Sequence, residues 1–354
     1  MPTVNASPCR LSRPGNLTAV VTILDVARAA GVSKSTVSRV LDERLPRSTN
    51  STAERVRQAA AELGYVRNSL ASGLRRTGTN TVGVVVPRLT DTVMAMLYEK
   101  IAATAAVRGI SALVATTQDQ PEAEHDAVDT LVQRQVDGLI LTTARTPTSP
   151  ADQLANHPVR YALALRTDGL SASSIGDDRL GGHLATRHLL DLGHRRIGLV
   201  SGPDYASSAQ GRRDGYRQAL TEAGIIVDEA LIEGDSFSMD AGETAGRALL
   251  NNPDRPTAIF AVNDNTAIGV MAAAHTLGLR IPEDLSLVGY NDIPVVSRLP
   301  VPLTTVRVPF DQIAAGALDL LLNHNDTAAR TLIATPTLIP RRSTVPPQPQ
   351  PGPA

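Results

Sequence analysis

The sequence predicts an α/β protein in which a small three-helix head precedes a large body of two doubly wound parallel sheets. Three observations lead there. Residues 22–64 carry apolar side chains at helical spacing between capping and turn signals. From Thr81 onward, short apolar runs rich in β-branched residues alternate with longer helical stretches, the pattern of strand–helix–strand units. The chain has 354 residues, 42% of them hydrophobic, which is enough for more than one core. The alternation also runs on too long for a single sheet, so the body divides into two subdomains.

The first helix begins at Thr22-Ile23-Leu24-Asp25, where a Thr cap with an acidic residue three places on satisfies free backbone donors. Ile23, Val26, Ala27 and Ala30 then share one face, and Gly31 permits a tight turn. Ser33 caps a second helix over Lys34–Asp42, whose Val37, Val40 and Leu41 point back to the first. A third helix starts at Thr49 or at Ser51, the latter with its own capping box to Glu54. Val56, Ala59 or Ala60, Leu63 and Tyr65 close a small core.

That packing leaves Lys34, Ser35, Ser38 and Arg39 on the outer face of the second helix. An arginine can grip guanine O6 and N7 with two hydrogen bonds, and a small hydroxyl can reach a phosphate or a base edge. The helix N-terminus adds a positive dipole end. The face therefore suits double-stranded DNA, although the same residues would serve an ordinary solvated helix. Charge runs the same way. Residues 21–78 hold ten Lys/Arg against five Asp/Glu, whereas residues 79–354 hold 22 basic and 30 acidic side chains. A basic head on an acidic body is the electrostatic footprint of a nucleic-acid partner at one end only.

In the body, the strand candidates include Val82–Val86, Ser111–Ala115, Gly138–Leu141, Arg160–Leu165, Ile197–Ser201, Ala258–Ala261 and Leu285–Gly289. Helical patterns at Met96–Arg108, Arg179–Leu192 and Ala209–Ala223 lie between them. Runs that are apolar throughout, rather than alternating, belong to strands covered on both faces. Residues 1–20, rich in Pro, Ser and Asn, read as a disordered N-terminal tail, and residues 346–354 as a Pro-rich extended one.

Several function classes are disfavoured. The single cysteine, Cys9, allows no intrachain disulfide and no thiolate metal cage, which suits a reducing cytoplasm. No apolar run approaches the ~20 residues that span a bilayer, and residues 1–20 lack the apolar centre of a secretory signal. His183, His188 and His194 lie five and six apart, so they do not share a helical face as zinc ligands. Neither a Gly-x-Ser-x-Gly nor a phosphate-loop signature is present. No enzyme, no cofactor, no metal and no membrane partner is expected.

The segment from Ile23 through Gly31-Val32-Ser33-Lys34-Ser35-Thr36-Val37-Ser38-Arg39 to Leu41 resembles the head of the lactose-repressor/galactose-repressor (LacI/GalR) family of transcriptional regulators. The resemblance runs on through Asp178-Arg179-Leu180-Gly181-Gly182-His183, Val262-Asn263-Asp264, Gly289-Tyr290-Asn291-Asp292 and Pro302-Leu303-Thr304-Thr305-Val306. It implies a helix-turn-helix DNA-binding domain over residues 21–66, a hinge helix and linker over 67–79, and a periplasmic-binding-protein-like effector and dimerisation domain over 80–345. The chain would cross between the two subdomains near residues 175, 303 and 332.

By the same resemblance, Lys34, Ser35 and Arg39 are base-reading positions, and Ser33, Thr36 and Ser38 contact phosphates. Asn68, Ala71 and Leu74 belong to a hinge helix that enters the DNA minor groove, where Leu74 would wedge between base pairs. Read from the residues alone, Leu74 is a linker leucine. Arg212 and Asp264 match effector-gripping positions, a forked cation and a carboxylate that would converge on a small polar ligand. On spacing alone they could equally form a surface pair. Thr92, Val93, Met94, Ala206, Ser208 and Phe237 are further pocket candidates.

The implied protein is a cytoplasmic homodimer on a pseudo-palindromic operator. It would act as a repressor controlled by a sugar or related metabolite. Two departures stand out: Asp42-Glu43 replaces the family's usual Asn-Gly, and Asp91-Thr92-Val93-Met94 replaces an aromatic-rich loop.

Overall fold

The computed structural model describes residues 21–42, 46–65, 78–148, 154, 159–323 and 330–348. It falls into two units, Met1–Thr77 and Gly78–Ala354.

The first unit is built on α1 (Ile23–Ala30), α2 (Lys34–Val40) and α3 (Ser51–Glu62). At the start of α1, the Asp25 carboxylate accepts from both the Thr22 N–H, at 2.9 Å, and the Thr22 hydroxyl, at 2.7 Å. Gly31 ends α1 at φ 64°, the left-handed conformation that a residue without Cβ adopts at no steric cost. Ser33 then caps α2 by accepting from the Thr36 N–H. The cap of α3 is Asn50, whose Oδ1 takes the Ala53 N–H at 2.9 Å, so Ser51 is the first helical residue. Asn is as good a cap as Ser, and its position one residue earlier decides the start. Val26, Ala27, Ala30, Val37, Val56, Ala59 and Ala60 form the core, with Tyr65 packed against it. Leu63, expected inside, is partly exposed just past the end of α3.

The second unit carries two six-stranded sheets. The first has the order β11-β5-β4-β3-β1-β2, with β1 (Thr81–Val86), β2 (Ser111–Thr116), β3 (Gly138–Leu141), β4 (Tyr161–Ala164), β5 (Ser173–Gly176) and β11 (Thr331–Ala334). Every pairing in it is parallel. Helices α4 (Thr92–Val107), α5 (Pro121–Gln133) and α10 (Phe310–Leu322) pack on it.

The second sheet has the order β12-β10-β9-β8-β6-β7, with β6 (Ile197–Val200), β7 (Ile232–Glu233), β8 (Ala258–Ala261), β9 (Ser286–Asn291), β10 (Thr304–Arg307) and β12 (Thr337–Ile339). Its pairings are parallel except that β12 runs antiparallel to β10 at the edge. Its helices are α6 (Asp178–Asp191), α7 (Ser207–Glu222), α8 (Met239–Leu250) and α9 (Asp264–Thr276). The chain passes between the sheets after Gly176, after Arg307 and after Ala334. The first and third passages touch, since the Asp177 N–H donates to the Ala334 carbonyl at 3.0 Å.

Two helix pairs of the second sheet meet backbone to backbone. A Cβ on Gly182 would lie 2.2 Å from the Arg212 carbonyl oxygen, and one on Gly215 would lie 2.1 Å from that of Arg179. These glycines bring α6 and α7 together. Gly242 and Gly269 do the same for α8 and α9.

The residues after β12 run alongside the second sheet. The Ser343 hydroxyl, fully buried, accepts from the Thr304 N–H and donates to the Leu287 carbonyl. This segment also engages two of the three histidines. His194 bonds the Val345 carbonyl and the Thr257 hydroxyl, and His188 bonds the Thr344 hydroxyl, while His183 lies 2.7 Å from Glu222.

Candidate functional site

On the head, Lys34, Ser35 and Arg39 are exposed along α2, with Thr36 and Ser38 half-buried beside them. Val37, buried on the opposite side, fixes which face α2 turns outward. The Ser33 hydroxyl sits 2.8 Å from that of Ser35 and 2.9 Å from that of Thr36. Three hydroxyls thus cluster at the positive end of a helix, beside two cationic side chains. Such a face can hold phosphate oxygens while Arg39 reaches a base edge. Asn68, Ala71 and Leu74 lie outside the described residues.

In the body, a cavity of 260 Å³ opens at the carboxyl ends of the parallel strands of both sheets, where open α/β sheets bind their ligands. The first sheet contributes Asp91, Val93 and Met94 from the start of α4, and Arg166 from just beyond β4. The second contributes Tyr205, Ser208 and Arg212, with Phe237 from the turn before α8, Asn263 and Asn265 from the start of α9, and Asn291 from the end of β9. Of the expected pocket residues, Val93, Met94, Ser208, Phe237 and Arg212 meet here. Thr92 and Ala206 do not line the cavity; Ala206 is fully buried in a small cluster with Ala209 and Val262.

Arg212 is 6% exposed and largely engaged by the protein itself. Its Nε donates to Asp178 Oδ1 at 2.8 Å, its Nη1 donates to the Val262 carbonyl at 2.9 Å, and its Cζ lies 3.8 Å above the Tyr290 ring. Burial opposes both charges and lifts Asp178 above the ordinary carboxylate range. At Arg212 burial is outweighed by the charge attraction and hydrogen bonding of Asp178 and Tyr290, which together hold it above its ordinary value.

Asp264 does not line the cavity, which corrects the expectation that it faces the ligand. It is fully buried at the start of α9. Its Oδ1 accepts from the Thr305 hydroxyl at 2.7 Å, and its Oδ2 accepts from the Ile293 N–H at 2.8 Å. Gly289 leaves room for the carboxylate, since a Cβ there would lie 2.3 Å from Oδ1. Burial pushes the Asp264 carboxyl up to about 7. Its neighbours face the cavity instead. Asn263 caps α9 through the Thr266 N–H and donates to the Phe237 carbonyl, and Asn265 donates to Asp91 Oδ1.

Arg166 was not singled out from the sequence. It is 4% exposed, and burial lowers it from its ordinary value. Its Nη1 lies 3.7 Å from Asp119 Oδ1 and has no hydrogen-bond acceptor among the described residues. Its Cζ lies 5.5 Å from the Phe237 ring centre and 5.7 Å from that of Tyr205.

The cavity's two walls are joined by several hydrogen bonds. The Tyr205 hydroxyl donates to Asp119 at 2.5 Å, the Thr146 N–H to the Tyr205 carbonyl at 2.9 Å, and the Thr167 N–H to the Ser207 hydroxyl at 2.9 Å. Arg145 stacks 3.8 Å over the Tyr205 ring.

Residues 22–68 match the model of the lacI family of bacterial regulatory proteins, and residues 186–344 match that of a periplasmic binding protein-like domain. The ribose operon repressor of Escherichia coli (strain K12) is 33% identical over 308 residues, which is 86% of this chain and 93% of that protein. The chain belongs to the LacI family. Among solved structures, the lac repressor dimer bound to operator and the anti-inducer ONPF is similar with a TM-score of 0.83. It is 31% identical, covering 92% of this chain and 99% of its own. The complex of the transcriptional regulator CelR with cellobiose has a TM-score of 0.70 at 31% identity, covering 91% and 99%. As a LacI-family member the protein is a DNA-binding transcriptional regulator with an effector-binding body, not an enzyme. Among its described residues no helix is long and apolar enough to cross a membrane.

Proposed function

We propose that this LacI-family protein is a cytoplasmic homodimeric repressor that reads a pseudo-palindromic operator with the exposed face of α2. A small sugar or related metabolite in the cavity of the body would control it. The observation that carries this reading is the cavity itself. It is lined by both sheets, and its walls are joined by side chains that a ligand would touch or displace. A ligand preferring one separation of the walls shifts the balance between two conformations, and through them the operator affinity. Whether it releases or strengthens DNA binding depends on which conformation it prefers.

In the head, Lys34, Ser35 and Arg39 are assigned to bases, and Ser33, Thr36 and Ser38 to phosphates. Asn68, Ala71 and Leu74 are assigned to the minor groove between the two half-sites. In the body, Arg212 acts chiefly as a scaffold. Its ion pair with Asp178 fixes the floor on which Ser208 and Phe237 are presented. Asp264 positions Asn263 and Asn265 rather than touching the ligand. Relatives named for ribose or solved with cellobiose support a carbohydrate-type effector.

The test is a selection of genomic fragments by the purified full chain, followed by anisotropy titration of the winning site with and without sugars and nucleosides. The expected outcome is a two-fold symmetric footprint and at least one compound that both raises the melting temperature and shifts operator affinity. A compound that binds the body without changing operator affinity would defeat the regulatory reading. Selection of a single asymmetric half-site would defeat the dimeric one.

A further inference from the structure

The wall of the cavity contributed by the first sheet carries a buried arginine that the protein's own acceptors satisfy only in part. Arg145 and Arg166 both face Asp119. One oxygen of that carboxylate, Oδ1, lies 3.0 Å from Arg145 and 3.7 Å from Arg166, and the other is taken by the Tyr205 hydroxyl. Arg145 makes the closer contacts, since its Nη2 also bonds the Asp119 carbonyl, although its Nε is buried without an acceptor among the described residues; it does not line the cavity, whereas Arg166 does. Arg166 is left with a buried Nη1 that has no acceptor among the described residues. Leaving a buried cationic donor unpaired is unfavourable, because burial removes its water without supplying a substitute. The other nearby carboxylates are engaged elsewhere: Glu124 accepts from the Thr143 hydroxyl, and Asp91 accepts from the Val93 N–H and the Asn265 amide. On the facing wall, Arg212 is matched by its own partner, Asp178. There the opposite need appears: Asn265 Oδ1 is a buried acceptor without a donor among the described residues.

We propose that the effector is a small hydroxylated anion, a sugar-type skeleton bearing a carboxylate or a phosphate, whose acid group seats on Arg166 while a hydroxyl donates to Asn265. This rests on the effector-binding reading of the same cavity and specifies its ligand. An oxyanion supplies the acceptor that Arg166 lacks and balances its charge, which a neutral hydroxyl does not. A hydroxyl at the far end satisfies Asn265. Because Arg166 follows β4 of the first sheet and Asn265 lies on α9 of the second, one molecule meeting both needs ties the two walls together. A cavity of 260 Å³ suits a ligand of that size rather than a long oligosaccharide.

The experiment is calorimetric titration of the full chain at fixed ionic strength with two matched sets: D-ribose, D-ribonate and D-ribose 5-phosphate, and D-glucose, D-gluconate and D-glucose 6-phosphate. The expected result is that an acid binds about tenfold or more tightly than its neutral parent. Whether the carboxylate or the phosphate arm gives that gain identifies the acid. Arg166→Gln, checked for native circular dichroism, should erase the preference, and Arg166→Lys, which keeps the charge, should retain part of it. A neutral parent that binds as tightly as its acids overturns the proposal while leaving the effector reading intact. An acid preference that survives Arg166→Gln overturns the assignment of the acid group to Arg166. Binding of none of the six compounds overturns the proposal. If, in addition, no sugar or nucleoside shifts operator affinity, the effector reading falls with it.

Discussion

The backbone of Gly182 lies against the carbonyl of Arg212, so close that a methyl group on Gly182 would sit 2.2 Å from that oxygen. Helix propensity alone favours alanine over glycine by about 1 kcal/mol. Here the obstacle is a main-chain oxygen that cannot swing aside. Gly182→Ala should therefore destabilise the body by about 1–3 kcal/mol despite the propensity gain. Urea unfolding gives the answer directly: an unchanged or higher midpoint would show that α6 and α7 can separate at little cost.

Arg212 and Asp178 are both buried, so removing one strands the charge of the other. Arg212→Ala should cost about 3–5 kcal/mol. The double change with Asp178→Asn should be less destabilising than the sum of the single changes. A double-mutant cycle by chemical denaturation checks this, and simple additivity would mean that the pair contributes nothing as a pair.

The body should lose stability as pH rises, through Asp264. Its carboxyl is lifted from the ordinary 3.8 to about 7 by burial. Below pH 4 the folded and unfolded chains both hold the proton, so the group adds nothing. Between pH 4 and 7 the folded chain holds the proton more tightly, and stability falls with rising pH by up to about 4 kcal/mol. Asp264→Asn can accept from the Ile293 N–H and donate to the Thr305 hydroxyl. It should flatten this fall, matching the parent near pH 4 and exceeding it at pH 8. Melting curves across that range decide the matter, and parallel curves for the two proteins would contradict it.

Arg39→Ala should relax operator discrimination by about 1–3 kcal/mol while leaving non-specific DNA binding nearly intact. Competition of operator against random duplex in a gel shift measures the ratio. An undiminished ratio would move base reading to Lys34 or Ser35.

The head was legible almost residue by residue, because its helices are short and each boundary carries its own chemical marker. Thr22 with Asp25, Gly31 and Ser33 all behave in the structure as their side chains suggest. The seven proposed strands of the body were equally plain as short apolar runs between helices, although β2, at the edge of its sheet, is half-exposed rather than covered on both faces. Strands such as β5 (Ser-Ser-Ile-Gly) and β10 (Thr-Thr-Val-Arg) were not among them. Thr305 of β10 is satisfied by Asp264, distant in sequence, while Ser173 of β5 bonds the Ser171 carbonyl and the Thr167 hydroxyl close by.

The site divides the same way. Met94, Ser208, Arg212 and Phe237 were placed by resemblance, but the orientation of Asp264 depends on a space left by Gly289, which local sequence does not reveal. Arg166 could have been found. It follows a recognised strand, and the carboxyl end of a parallel strand is where a ligand is met.

The Tyr205–Asp119, Thr146–Tyr205 and Thr167–Ser207 hydrogen bonds across the cavity involve only the chain's own atoms, so they need no guest to form. Each one favours the narrow arrangement of the walls before any ligand arrives. For a guest that prefers the narrow arrangement, the difference in free energy it must supply is reduced accordingly, and so is the contrast between the resting and the triggered state. Regulation by such a molecule is graded against a background that it sets for itself. The strength of the Tyr205–Asp119 contact acts as the dial: weakening it would quieten the background and demand a tighter-binding signal.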